Sequence, residues 1–142
     1  MNFYLDASVI LPSLVLEASS ASVDIFMSSR GGALMVSDFA ATEVASALSR
    51  LLRVGAFPAA EAAARLADFD AWRTAETDTV DLQPSDARLA NIFVRRFDLM
   101  LRAPDALHAA ICRRTGNVLV TFDRRLARAA AELGVGVVVP EV

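Results

Sequence analysis

Lysine is absent from this chain, and its absence argues against several kinds of catalytic chemistry. All 14 basic residues are arginine, and 17 aspartates and glutamates bring the net charge to −3. A chain without lysine has no Schiff-base nucleophile, no P-loop lysine and no lysine partner for a phosphorylated aspartate. A phosphoryl-accepting receiver or phosphatase domain is therefore a weaker hypothesis than the acidic residues alone would suggest.

The chain also has a single cysteine, Cys112, and a single histidine, His108. One cysteine cannot form an internal disulfide, so we expect a reducing, cytoplasmic compartment. No run of about 18 uncharged apolar residues is present, which predicts no membrane-spanning helix. The first apolar run ends at Asp6 and has no basic residues before it, so a signal peptide is not expected.

Apolar residues make up 55% of the 142 residues, which is enough for the core of one domain spanning residues 1–142. Strands are predicted at 2–5, 33–36, 79–82, 118–122 and 135–139. Helices are predicted at 20–29, 39–54, 58–75, 84–100, 105–115 and 123–133, with a short helix broken near Pro12. This alternation predicts an α/β fold, in which a mostly parallel sheet is covered by helices on both faces.

Four acidic residues occupy positions where a soluble α/β protein has little structural use for them. Asp6 and Asp123 each follow a predicted strand, Glu43 lies beside an apolar helix face, and Asp105 opens a helix behind Pro104. Ligands in such folds bind at the carboxyl ends of the strands. Two carboxylates about 4 Å apart repel by roughly 4 kcal/mol at an effective dielectric constant of 20, so a cluster would need protons or hard cations.

Oxygen ligands without cysteine or histidine partners favour Mg²⁺ or Mn²⁺ over zinc, and such ions suit phosphodiester or phosphoryl chemistry. Structural alternatives stay open for each acid. Asp6 and Asp123 are also suited to capping helices, and Glu43 could pair with an arginine. His108 is at i+3 from Asp105, but a lone histidine is more often a core residue than a ligand.

The C-terminal half is locally basic. Residues 95–128 contain eight arginines and three aspartates, which suits a phosphate-backbone partner such as nucleic acid. The alternative is that these arginines form solvated helix faces.

Four segments together carry a resemblance to a known family. They are Tyr4-Leu5-Asp6-Ala7-Ser8, Ser37 with Glu43 in the helix that follows it, Pro104-Asp105-Ala106-Leu107-His108-Ala109-Ala110, and Leu119-Val120-Thr121-Phe122-Asp123. In order and spacing the chain resembles PIN-domain proteins, of the small stand-alone VapC-like toxin type.

The resemblance implies a central parallel five-stranded sheet and a Mg²⁺- or Mn²⁺-dependent endoribonuclease that is the toxin of a type II toxin–antitoxin pair. It also implies a homodimer and a cognate small antitoxin encoded beside it. By residue, it implies that Asp6, Glu43, Asp105 and Asp123 are the catalytic, metal-binding acids, with Ser8 and Thr121 in supporting roles. An alternative from another class is a PIN-like binding module that has lost catalysis.

The second and third predicted helices carry more apolar residues than one helix face can bury. These are Val23, Phe26, Met27, Leu51, Leu52, Val54 and Phe57. An apolar surface of this kind predicts a homodimer contact with a neighbouring groove for an amphipathic antitoxin helix. The alternative is that they fill the core of a single chain.

Overall fold

The computed structural model describes residues 1–141, and its centre is a five-stranded sheet. The strands are β1 (Asn2–Leu5), β2 (Ala33–Ser37), β3 (Thr77–Val80), β4 (Val118–Val120) and β5 (Val137–Val138). Their order across the sheet is β3-β2-β1-β4-β5, and every neighbouring pair is parallel. The predicted five-stranded parallel sheet is confirmed, with β3 beginning two residues earlier than predicted.

The connections are helical. The helices are α1 (Ala7–Leu14), α2 (Ser20–Ser29), α3 (Asp38–Arg53), α4 (Ala59–Glu76), α5 (Pro84–Val94), α6 (Ala103–Thr115) and α7 (Arg124–Glu132). Pro12 lies inside α1 and does not break it, contrary to expectation. A search of the described residues finds no helix with the length and apolar character needed to span a membrane.

The helix predicted at 84–100 is too long, because α5 ends at Val94. Arg96 leaves helical geometry with ψ of 80°, a short 3₁₀ turn follows at Phe97–Leu99, and Met100 adopts a left-handed φ of 55°. Phe97 and Met100 were expected on the apolar helix face but are 82% and 61% exposed. Their spacing from Phe93 fits a helix, and spacing alone cannot show where a chain turns away from the core.

The two faces of the sheet pack against different helices. Tyr4 and Leu119 point into a core formed with α5, α6 and α7, whereas Leu5 and Val120 point into a core formed with α1, α2, α3 and α4. Adjacent strand residues face opposite sides of a sheet, so each strand contributes to both cores. The predicted covering of both faces by helices is confirmed.

The apolar residues expected to form a partner surface on α2 and α3 mostly fill the second of these cores. Val23 is fully buried, and Phe26, Met27, Leu51 and Phe57 pack against the same cluster. Val54, at the end of α3, is the member of the set that stays strongly exposed. This packing supports the alternative that these residues fill the core of a single chain, and the docking surface on the two helices stays a prediction.

Candidate metal centre

The carboxyl ends of β1 and β4 meet at the centre of the sheet, where the strand order reverses. The chain runs from β1 to β2 and β3 on one side and later adds β4 and β5 on the other. Such a reversal is where open α/β sheets bind ligands. Helices α1, α3 and α7 begin at this edge because each follows a strand directly or within a few residues.

Helix α6 also begins at this edge, because it runs back to the start of β4. Three of the predicted acids lie in the first turns or caps of these helices, since Asp6 precedes α1, Asp105 is in α6 and Asp123 precedes α7, and the fourth, Glu43, lies in the second turn of α3. Helix N-termini carry partial positive charge, which offsets part of the repulsion among nearby carboxylates.

Asp6 is 5% exposed, and its carboxylate makes no cap bond to a backbone N–H of the helix that it precedes. Ser8 Oγ donates to Oδ1 at 2.6 Å, and Thr121 Oγ1 donates to Oδ2 at 2.5 Å. Each hydroxyl oxygen also accepts a backbone N–H, from Phe122 and Asp123 respectively, both at 3.0 Å. The hydroxyl protons therefore have Asp6 as their acceptor, and Ser8 and Thr121 hold its carboxylate in place.

Asp123 caps α7, as the structural alternative from sequence suggested. Its Oδ1 accepts the backbone N–H of Arg125 at 3.0 Å and of Leu126 at 3.1 Å. Both bonds fall on one oxygen, so the carboxylate is fixed in direction while Oδ2 takes no part in the cap. Capping and ligand binding are thus compatible roles for this residue.

Asp105 lies in the first turn of α6, with Oδ2 3.4 Å from the backbone nitrogen of Arg102 and 3.8 Å from its Nε. Burial raises the pKa of the Asp105 carboxyl above its usual range, and the negative charge of Asp123 raises it further.

A second pair of acids interacts in the same way. Burial raises the pKa of the Asp6 carboxyl and the charge of Glu43 adds to that effect, while the nearby His108 and the hydrogen bonds from Ser8 and Thr121 work against it. The ordinary use of a buried carboxylate is an ion pair, yet among residues 1–141 no arginine pairs with Asp6. A buried anion without a basic partner is costly.

Glu43 has a partner that the sequence did not reveal. Its Oε1 contacts Nε2 of His108, whose Nδ1 is 2.6 Å from the hydroxyl of Tyr4. The expected alternative, an arginine beside Glu43, is not what the structure has. The sequence predicts that His108 lies near Asp105, because it follows Asp105 by one helical turn. Nothing in the sequence links His108 to Glu43 or Tyr4.

The donor set suits a hard divalent cation. As positioned, residues 1–141 contain no group of three or more His, Cys, Asp or Glu side chains arranged to surround one ion. Mg²⁺ does not require such a group, because it keeps several waters and is commonly held by one or two carboxylates together with substrate phosphates. Asp6, Glu43, Asp105 and Asp123 supply carboxylate oxygens, the kind of ligand that such a site uses.

The arginines of the basic segment divide into two groups. Arg114 makes a two-pronged pair with buried Asp86, with nitrogen–oxygen distances of 2.7 and 3.0 Å, and Arg113 Nη1 donates to the Leu133 carbonyl at 2.7 Å. These two stabilise the fold and are not available to a phosphate. Arg102, Arg124 and Arg125 lie beside Asp105 and Asp123 and are exposed.

A family model described as PIN domain matches residues 3–132. No curated protein sequence matches the chain.

Three solved structures illustrate the likeness. VapC20 from Mycobacterium tuberculosis, described as a toxin that cleaves the sarcin-ricin loop, has a TM-score of 0.70 and 18% identity over 89% of this chain and 94% of that one. FitAcB from Neisseria gonorrhoeae has a TM-score of 0.70 and 16% identity over 97% of each chain. VapBC2 from Rickettsia felis, bound to a DNA fragment from its promoter, has a TM-score of 0.71 and 10% identity over 99% of this chain and 100% of that one.

Proposed function

The chain belongs to the PIN-domain family, and we propose that it is a Mg²⁺- or Mn²⁺-dependent endoribonuclease. The observation that carries the proposal is Asp6, a buried carboxylate at the carboxyl end of a central strand, held by two hydroxyls and paired with no arginine. A chain with 14 arginines could have neutralised it and does not. A cation that binds from outside supplies the missing positive charge.

Asp6, Glu43, Asp105 and Asp123 are the residues that would hold the ion. A bound Mg²⁺ or Mn²⁺ would supply Lewis-acid activation of water and of the scissile phosphate. The protein's own contribution is positioning: Ser8 and Thr121 fix the Asp6 carboxylate, and the cap bonds of α7 fix that of Asp123.

The exposed arginines beside the acids are proposed to bind the flanking phosphates of an RNA chain. Arg124 and Arg125 begin α7 directly after Asp123, and Arg102 precedes α6 beside Asp105. Guanidinium groups bind phosphate through two parallel hydrogen bonds, which orients the chain as well as attracting it. Substitution of these arginines should weaken RNA binding without removing the metal ligands.

Incubation of the purified protein with RNA tests the proposal. We expect cleavage in Mg²⁺ or Mn²⁺ and none in excess EDTA. Metal-independent RNA binding without cleavage would favour a non-catalytic PIN-like module. Labelling by acetyl phosphate would favour a phosphoryl-accepting domain, which the absence of lysine already disfavours.

We further propose that the protein acts as the toxin of a type II pair, as a homodimer that binds a small antitoxin. The relatives of similar fold support this, since VapC20 is described as a toxin and VapBC2 is bound to promoter DNA. Ile92, Phe97 and Met100 are large, exposed apolar side chains that a protein partner could cover. Light scattering tests the dimer, and expression with the neighbouring reading frame tests for a co-purifying antitoxin.

A further inference from the structure

His108 is a buried side chain that the proposed chemistry does not use. It is 2% exposed and lies in α6 between the rings of Tyr4 and Phe39, whose centroids are 5.6 and 5.1 Å from the imidazole centroid. Both of its ring nitrogens are engaged, Nδ1 by the Tyr4 hydroxyl and Nε2 by Glu43. With both nitrogens engaged, His108 has no lone pair to offer a metal ion.

The surrounding bonds fix which nitrogen carries the proton. The backbone N–H of Ala40 donates to Ser37 Oγ at 2.9 Å, and among residues 1–141 the acceptor within reach of the Ser37 hydroxyl proton is the Tyr4 oxygen, 2.8 Å away. Tyr4 then donates to Nδ1 at 2.6 Å, which leaves the hydrogen of the neutral ring on Nε2. A carboxylate only accepts hydrogen bonds, so Nε2–H donates to Oε1 of Glu43.

The reverse order fails at both ends. If Nδ1–H donated to Tyr4 and Tyr4 to Ser37, the Ser37 hydroxyl proton would lack an acceptor among residues 1–141, because Tyr4 is the one side chain within hydrogen-bonding distance of Ser37 Oγ. The bare Nε2 of the neutral ring would then face the Glu43 carboxylate, lone pair against anion. One direction therefore satisfies the four side chains together. It begins at Ser37, the N-cap of α3, and ends at Glu43 within α3.

We propose that His108 is a positioning residue that holds Glu43 through Nε2–H and leaves Oε2 as the oxygen available to a cation. Tyr4 and Ser37 support it by fixing the tautomer. This inference rests on the proposed function, because it assumes that Glu43 binds the ion. Glutamate has several rotatable bonds and Glu43 is 30% exposed at its side chain, so a fixed partner removes freedom that the ion would otherwise have to restrict.

Nitrogen NMR on the wild-type protein tests the hydrogen-bond order directly. His108 is the chain's single histidine, so selective ¹⁵N-histidine labelling gives one imidazole signal set. We expect a protonated Nε2 and an unprotonated Nδ1, unchanged when Mg²⁺ is added. A bare Nε2, or one that loses its proton when Mg²⁺ binds, overturns the proposal.

Calorimetric titration with Mn²⁺ tests the consequence for the site. We expect His108→Leu to weaken Mn²⁺ binding roughly 10- to 100-fold, the range for residues that orient metal ligands. His108→Gln keeps an N–H donor near the position of Nε2 and should restore much of the affinity. Tyr4→Phe removes the partner of Nδ1 while the contact with Glu43 still keeps the proton on Nε2, so it should weaken Mn²⁺ binding less than His108→Leu does.

A control separates positioning from loss of stability. Leu133→Ala removes a buried side chain at the far end of α7 and should leave the Mn²⁺ affinity unchanged. Equal affinity of wild type and His108→Leu overturns the positioning role, and so does a Gln variant as weak as the Leu variant. A wild-type protein that binds no Mn²⁺ overturns the proposed function, and the positioning role falls with it.

Discussion

Asp6 and Asp123 occupy similar places in the sequence, yet their carboxylates behave differently. Both follow a central strand and precede a helix, and both were suited to capping. Asp123 caps α7, whereas the Asp6 carboxylate accepts no backbone N–H of α1 and accepts the hydroxyls of Ser8 and Thr121 instead. Ser8 was predictable as a neighbour two residues away, but the bond to Thr121 depends on the pairing of β1 with β4.

The contact between Glu43 and His108 was beyond sequence reasoning for a physical reason. The residues are 65 positions apart, and their helices pack on opposite faces of the sheet. They meet because α3 and α6 both begin at the carboxyl edge. Periodicity identifies which face of a helix is apolar, and it carries no information on which helix ends meet.

The charge of Asp105 should destabilise the metal-free protein. Burial and the charge of Asp123 raise its pKa above the value of about 4 that it has in an unfolded chain. The protonated Asp105 carboxyl therefore contributes fully to the free energy of unfolding below about pH 4. That contribution is lost as the pH rises through the pKa of the folded protein. Asp105→Asn keeps the shape and an acceptor for the Arg102 N–H, so it should melt above wild type in EDTA at pH 7.

Thermal melts across pH in EDTA check this prediction. The advantage of Asp105→Asn should shrink toward acidic pH, where the wild-type carboxyl is protonated. A wild-type protein that melts above the variant at pH 7 without metal would mean that Asp105 is neutralised by a group within the chain.

At the scale of elements, the alternation of strands and helices was predictable and the end of α5 was not. Leu89 and Phe93 continue into Phe97 and Met100 at helical spacing, so the apolar pattern has no break. The chain turns away from the helix through the backbone conformations of Arg96 and Met100. The side chains of Phe97 and Met100 are therefore exposed. A pattern of residue types cannot distinguish an apolar residue that is buried from one kept on the surface.

Helix α7 permits a test that separates capping from ligand binding at Asp123. Asparagine caps helices about as well as aspartate, whereas alanine costs about 1 kcal/mol at this position. Asp123→Asn should therefore keep wild-type stability in EDTA, and Asp123→Ala should melt a few degrees lower.

The difference in stability between Asp123→Asn and Asp123→Ala should not be matched by a difference in RNA cleavage. Both variants lose a charged ligand, so both should lose most RNA cleavage in Mn²⁺. An active Asp123→Asn beside an impaired Asp123→Ala would assign the residue to the helix cap alone.

At the scale of the whole molecule, four carboxylates at one edge should couple metal binding to folding. An ion that binds only the folded protein stabilises it by about 2.7 kcal/mol at a hundredfold excess over its dissociation constant. Melting curves with millimolar Mn²⁺ should shift upward from those in EDTA. The shift should be much smaller for Asp6→Asn, and no shift in the wild type would contradict a carboxylate metal site.

The most direct measurement is the rate of RNA cleavage by wild type and Asp6→Asn in Mn²⁺ and in EDTA. Asp70→Asn is the matched control, because it removes the charge of an exposed aspartate on α4. Wild type and the control should cleave at equal rates in Mn²⁺ and not in EDTA, while folded Asp6→Asn should be slower by orders of magnitude. Cleavage by Asp6→Asn at the wild-type rate, or equal cleavage in EDTA, would contradict a metal-dependent nuclease site at Asp6.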